Sequence, residues 1–158
     1  MSGVLIRDYR DADAAATLRV FIDAVTVTAA EDYSPEQIAA WARPEKRGLA
    51  DWSAAMHRLA GIVAVVDGQV AGFSDVNAAG YIDMMFVSPS FARRGLARAL
   101  LTELETRARD AGATGLSSNV SITARPFFEH AGFVVEAEQH PVIDGIELTN
   151  FRMTKALG

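Results

Sequence analysis

Between residues 62 and 111 the hydrophobic period of the chain changes once, and that change restricts the fold more than any other feature. Ile62-Val63-Ala64-Val65-Val66 and Val70-Ala71-Gly72-Phe73 flank Asp67-Gly68, a residue pair suited to the tight turn of a hairpin. Asn77 to Gly80 make a second turn, and Tyr81 to Val87 read as a third strand that Ser88-Pro89 ends. From about Arg93 to Ala111 the period becomes that of a helix. Leu96, Leu100, Leu101, Leu104 and Ala108 line one face, while Glu103–Arg107 and Glu105–Arg109 form (i, i+4) pairs on the other. A hairpin and a third strand running into an amphipathic helix call for a sheet with helices laid against it.

The flanking sequence fits that plan. Val4-Leu5-Ile6 reads as a strand, and Asp11 can cap a helix whose apolar positions are Ala14, Leu18, Phe21, Ile22 and Val25. Ser34-Pro35 starts a second helix, with Ser as cap and Pro at the first helical position, and a third spans roughly Leu49 to Leu59. A short strand near Leu116–Asn119, a helix around Ala124–His130 and strands near Phe133–Gln139 and Ile146–Thr154 complete the order. The expected architecture is α/β: a single domain over residues 3–158 with a mixed, mostly antiparallel sheet flanked by helices. A length of 158 residues suits one domain.

Composition removes several chemistries. The chain has no cysteine, which excludes disulfides, thiolate metal sites and cysteine nucleophiles. His57, His130 and His140 have no paired spacing, so no metal is expected. A net charge of −5 without a Lys/Arg run argues against nucleic acid or an anionic membrane as partner. The start lacks a basic segment followed by a long apolar stretch, so the expected location is the cytoplasm. Thirteen of the fifteen basic residues are Arg, a bias common in GC-rich bacteria. Neither a nucleophile elbow nor a Gly-x-x-x-x-Gly-Lys loop occurs, which sets hydrolase and P-loop chemistry aside.

The chemically informative stretch is Ser88-Pro89-Ser90-Phe91-Ala92-Arg93-Arg94-Gly95-Leu96-Ala97-Arg98. Cations at a helix N-terminus oppose the helix dipole by roughly 0.3–1 kcal/mol each. Arg93 and Arg94, with Arg98 one turn on, make sense there if an anion sits on the free N–H groups and Gly95 lets it approach closely.

Ala92-Arg93-Arg94-Gly95-Leu96-Ala97 resembles the central motif of the GCN5-related N-acetyltransferase superfamily, Gln/Arg-x-x-Gly-x-Gly/Ala, with Ala92 replacing the usual first residue. Ser121-Ile122-Thr123-Ala124-Arg125-Pro126-Phe127-Phe128-Glu129-His130-Ala131-Gly132-Phe133 resembles a second family element, Asn-x-x-Ala-x-x-x-Tyr-x-x-x-Gly-Phe, with Thr123 as an alternative helix cap to Ser121. Asp32-Tyr33-Ser34-Pro35-Glu36-Gln37 before Trp41 is similar to a bacterial branch of the superfamily.

The resemblance implies the acyl-CoA N-acyltransferase fold and acetyl-CoA as co-substrate, with no metal. Main-chain groups of Met85, Phe86 and Val87 would line the pantetheine. Arg93, Arg94, Gly95, Leu96, Ala97 and Arg98 would meet the pyrophosphate, and Asn119 and Phe128 would complete the cofactor site. The partner would be a small-molecule or protein amine, and a homodimer is among the assemblies the superfamily uses.

Acetyl transfer to an amine needs a base for the amine proton and polarisation of the thioester carbonyl, and it gains from a proton donor to the thiolate. Asp83 is the only carboxylate on Tyr81–Val87, and Tyr81 shares its face if the strand is regular. Asp83 is thus either the base or a structural acceptor. Asp75 and Asn77 are further polar candidates near the acceptor. Where the family commonly has a Tyr donor this chain has Phe128. Either Tyr81, Tyr33 or His140 replaces it, or the thiolate leaves unassisted, which a thiol pKa of ~8.5 permits. Phe21, Val25, Tyr33 and Trp41 are core or substrate wall, and Tyr33, in a turn-rich segment, is expected to be exposed. The alternative function is a non-catalytic acyl-CoA-binding module.

Overall fold

The structure is a computed structural model that describes residues 3–158. Its elements are β1 (Val4–Asp8), α1 (Ala14–Thr26), α2 (Pro35–Ala42), α3 (Leu49–Arg58), β2 (Ile62–Val66), β3 (Gln69–Ser74), β4 (Tyr81–Ile82), β5 (Met85–Val87) and α4 (Leu96–Asp110). There follow β6 (Gly115–Ser121), α5 (Arg125–His130), β7 (Val134–Gln139), β8 (Val142–Ile143), β9 (Ile146–Glu147) and β10 (Asn150–Ala156). One sheet has the order β1-β2-β3-β5, wholly antiparallel, and a second has the order β4-β6-β10-β7, in which only β4 and β6 run parallel. This is the mixed, mostly antiparallel α/β architecture expected.

Alternation along β2 assigns its two faces. Ile62, Ala64 and Val66 pack with the α4 stripe Leu96, Leu100, Leu101, Leu104 and Ala108, which also meets Val120, Phe151 and Met153 of the second sheet. Val63 points the other way, into a cluster of Phe21, Val25, Trp52, Met56 and Phe73 under α1 and α3. Helices therefore cover both faces, and α4 ties the two sheets into one core. At ~1.5–3 kcal/mol per fully buried large apolar side chain, that stripe is a principal source of stability.

Several expectations need correction. The third strand is not continuous: Tyr81–Ile82 pairs with β6, whereas Met85–Val87 pairs with β3, so residues 83 and 84 form a break. The clearest helix begins at Leu96, since Arg93 and Gly95 are left-handed (φ 63° and 76°) and cannot continue a helix. Arg93 and Arg94 thus lie in the loop ahead of it. The last strand is divided into β9 and β10. Asp11 does not cap α1. Asp13 organises that turn, accepting from the Arg10 N–H at 2.9 Å and from two Arg7 nitrogens at 2.7 and 2.9 Å. Neither Ser121 nor Thr123 caps α5, whose N-cap residue is Ala124 with no side-chain cap bond; Ser121 Oγ accepts the Ala124 N–H and Thr123 Oγ1 donates to Asp32.

Candidate active site

The site begins where two strands part. Tyr81 and Ile82 lie in register with Ser117 and Ser118 of β6, but past that point the chain crosses to the other sheet. β5 is the last strand of its sheet, so one edge of Met85–Val87 carries main-chain groups with no neighbouring strand. β6 continues to Ser121 on the far side of the gap. A cavity of about 230 Å³ opens here, walled by Met85, Phe86 and Val87, by Ala29 and Trp41, and by Ser121, Ala124, Phe127 and Phe128. Phe128, only 4% exposed, packs edge-on against Phe127 and Phe133 and carries no proton to give.

Asp75 holds the break open. It is 2% exposed, and its two oxygens accept the main-chain N–H groups of Asp83 (2.8 Å) and Met84 (3.0 Å). Ser74 Oγ donates to the Met84 carbonyl at 2.6 Å. These side chains satisfy polar groups that a regular ladder would otherwise pair. Burial lifts the Asp75 carboxyl from 3.8 to about 7, and the neighbouring Asp83 charge pushes the same way against the two N–H bonds.

The polar candidates separate accordingly. Asp83 is exposed rather than buried, projecting from the break, and among the described residues it is the only carboxylate lining the second cavity. Because the strand is interrupted, the regular alternation invoked for Tyr81 and Asp83 does not apply. Both nevertheless line this cavity, and Asn119 Nδ2 donates to Tyr81 Oη at 3.3 Å. Burial raises the Tyr81 phenol, helped by Asp83 and Asp75, so it stays protonated near neutrality. Asn77 is absorbed by its turn, accepting from the N–H groups of Ala79 and Tyr81. His140 is exposed and pairs with Glu138.

Tyr33 corrects the sequence reading most sharply. It is 6% exposed, its hydroxyl donates to the Thr149 carbonyl at 2.6 Å, and it accepts the Ile122 N–H at 2.9 Å. Burial pushes this phenol up as well. With the Thr123–Asp32 bond, it ties the segment ahead of α2 to the turn after β6.

At the other end of the gap lies the start of α4. Gly95 is its cap residue, and no side chain caps the helix, so the first N–H groups face outward. A Cβ built on Gly95 meets nothing within 4 Å, which leaves open space over those groups. Arg93, Arg94 and Arg98 are exposed around it, and Arg94 lies over the Phe91 ring at 5.3 Å. Leu96 is buried, so only its main chain can reach a ligand, whereas Ala97 lines the first cavity.

The second cavity, about 340 Å³, lies beyond the break between the end of α2, β4 and the β8–β10 region. Sequence reasoning missed two of its residues, Arg43 and Arg47. The Arg43-Pro44 pair read only as a break between helices, and their meeting with Asn150 is purely tertiary.

Comparison with known proteins identifies the family and the fold. Residues 29–155 match the family model of the acetyltransferase (GNAT) domain. The uncharacterized N-acetyltransferase YafP of Escherichia coli K12 is 38% identical over 153 residues, covering 97% of this chain and 96% of that protein. A solved GCN5-related N-acetyltransferase from Rhodopseudomonas palustris superposes with a TM-score of 0.93 at 32% identity, covering 99% of this chain and 98% of the other. YncA of Salmonella typhimurium, solved with its cofactor acetyl-CoA, superposes with a TM-score of 0.69 at 25% identity, covering 99% and 95%.

Proposed function

The chain belongs to the GCN5-related N-acetyltransferase superfamily, and from that premise we propose that it moves the acetyl group of acetyl-CoA directly to a primary amine of a small molecule or protein. The observation that carries this reading is the open edge of β5 beside the uncapped start of α4. An extended amide-bearing chain can pair with the main chain of Met85–Val87 as an added strand would. Its pyrophosphate would then meet the N–H groups at Leu96, Ala97 and Arg98, under the favourable end of the helix dipole. The open space at Gly95 and the three exposed arginines fit that anion. The residues present therefore suit the co-substrate.

When bound, acetyl-CoA supplies the acyl group: the amine nitrogen bonds to the carbonyl carbon, the C–S bond breaks with its electron pair going to sulfur, and the nitrogen gives up a proton. Asp83, on the acceptor side of the break, receives that proton directly or through a water. A main-chain N–H on the free edge of β5 polarises the carbonyl. Tyr81 keeps its proton and orients the acceptor with Asn119. Phe128 shapes the wall and donates nothing, so the thiolate takes its proton from solvent, which a thiol pKa of ~8.5 allows near neutrality. The acetyltransferase unit runs over residues 3–158. A bacterial setting is supported by the resemblance to YafP of Escherichia coli K12. No helix among the described residues is long and apolar enough to cross a membrane.

Release of free thiol from acetyl-CoA across an amine panel tests the reading, alongside a thermal-shift titration with coenzyme A. Stabilisation by coenzyme A with amine-dependent thiol release is expected. Coenzyme A binding with no release on any amine would favour an acyl-CoA-binding module, and no binding at all would overturn the site.

A further inference from the structure

Arg43 and Arg47 stand on the wall of the acceptor cavity with no strong anionic partner. Arg47 is fixed by donating from Nε to the Ala42 carbonyl and from Nη2 to the Trp41 carbonyl, both at 2.9 Å, with its guanidinium 4.6 Å from the Phe21 ring. No carboxylate among the described residues pairs with it within 4 Å. Burial and the neighbouring Arg43 charge both lower its pKa, as happens to a cation lacking a counter-ion. Arg43 is left-handed (φ 41°), a conformation unfavourable for a non-glycine residue. Its closest carboxylate is the half-exposed Asp144, 3.7 Å from Nη1, which Lys46 approaches at 3.4 Å.

The unsatisfied groups converge on the same place. Among the described residues two buried side-chain polar atoms lack any hydrogen-bond partner, Arg43 Nε and Asn150 Oδ1, and both residues line this cavity. One is a donor on a cation and the other an acceptor. Asp83 lines the same cavity, so it presents two cations and one carboxylate in a protein whose net charge is −5. That pattern complements a small molecule with an anion at one end and an amine at the other.

We propose that the acceptor is an amine that also bears a carboxylate, held by Arg43 and Arg47 so that its amine faces Asp83. Arg47, already rigid, supplies the fixed charge. Arg43 adds a second guanidinium on the same wall, and a planar fork of donors suits a carboxylate. The proposal rests on the acetyl-transfer reading above.

Binding of the products tests it without depending on turnover. The protein saturated with coenzyme A is titrated calorimetrically with a set of N-acetyl amino acids and with the matching N-acetyl amino acid amides, which differ only in the charge. The wild type is expected to bind at least one acid about tenfold or more tighter than its amide. Arg43→Asn removes the cation while Asn tolerates the left-handed backbone. In that variant the preference is expected to fall to about threefold or less, with coenzyme A affinity unchanged. A wild-type preference below tenfold throughout the set, or a full preference surviving in Arg43→Asn, overturns the proposal. The wild-type comparison decides the matter even if the variant fails to fold. Coenzyme A failing to bind the wild type would overturn both readings, whereas coenzyme A binding without carboxylate preference would overturn this one alone.

Discussion

Asp75 gives the protein a pH-dependent stability that can be worked out in advance. Its carboxyl titrates at about 7 in the folded chain against 3.8 ordinarily, with burial as the main cause. An acid whose folded pKa is raised binds more protons folded than unfolded, so its contribution favours the fold at low pH. That contribution is fully present below 3.8 and is lost as pH rises to about 7. Between pH 5 and pH 8 the loss is ~2.5 kcal/mol, from the protonation ratio of the two states. The contrast is read by urea unfolding of the wild type and Asp75→Asn at both pH values, so that every other titrating group cancels in the double difference. At pH 5 the variant should be less stable by ~1–3 kcal/mol, because its amide nitrogen faces a main-chain N–H that an oxygen accepts in the wild type. By pH 8 that deficit should shrink by ~2.5 kcal/mol, leaving the two proteins close. A deficit that is the same at both pH values would refute the assignment of a raised pKa to Asp75.

Other perturbations address the remaining parts of the site. Gly95→Val should cost the fold only ~1–2 kcal/mol, the strain of a left-handed side chain, because nothing lies within 4 Å of the new Cβ. It should nonetheless abolish the thermal shift produced by coenzyme A, and an unchanged shift would displace the pyrophosphate from α4. With an acceptor in hand, Asp83→Asn should lower turnover by ~10²–10⁴-fold, and a loss below roughly tenfold would leave Asp83 a structural role. Phe128→Tyr should raise turnover modestly by restoring a donor, and a fall of more than tenfold would contradict its placement as a wall. Tyr33→Phe should destabilise the protein by ~1–3 kcal/mol in urea unfolding, since it strips the Ile122 N–H and the Thr149 carbonyl of their partner.

The parts of the fold legible in the sequence are those with local causes. The β2–β3 hairpin followed from Asp67-Gly68 between apolar runs, α4 from its leucine stripe, and α2 from Ser34-Pro35, where Ser34 and Gln37 form a reciprocal cap. The candidate anion-binding loop was legible as a candidate because its glycine and arginines are contiguous. What escaped depends on distant partners. Tyr33 looked exposed because its neighbours favour turns, yet its hydroxyl is claimed by a carbonyl 116 residues further on. The split of residues 81–87 leaves the apolar pattern almost unaltered, because its cause lies in Asp75 on the far side of a turn. Arg43 and Arg47 sit in a segment of breaks, and only tertiary assembly brings them to Asn150.

The buried carboxylate explains why the site exists at all. Were residues 81–87 a regular strand, one ladder would join β3 to β6 through it, and no main-chain edge would be free for a ligand. Interrupting that ladder leaves the N–H groups of Asp83 and Met84 and the Met84 carbonyl needing partners, and a buried N–H without one costs ~1–3 kcal/mol. Asp75 and Ser74 supply all three partners from the end of β3. A carboxylate can accept both N–H groups at once, which an amide or hydroxyl in its place cannot do equally well. Ionising it in a buried position penalises the folded state, but the ionised form is the stronger acceptor of both bonds. Rising pH therefore removes the contribution of Asp75 to stability while strengthening the contacts that keep the strands apart. The interruption also delivers Asp83 to the second cavity and leaves the edge of β5 open on the first, so under the proposed function the two halves of the reaction would meet at one two-residue break.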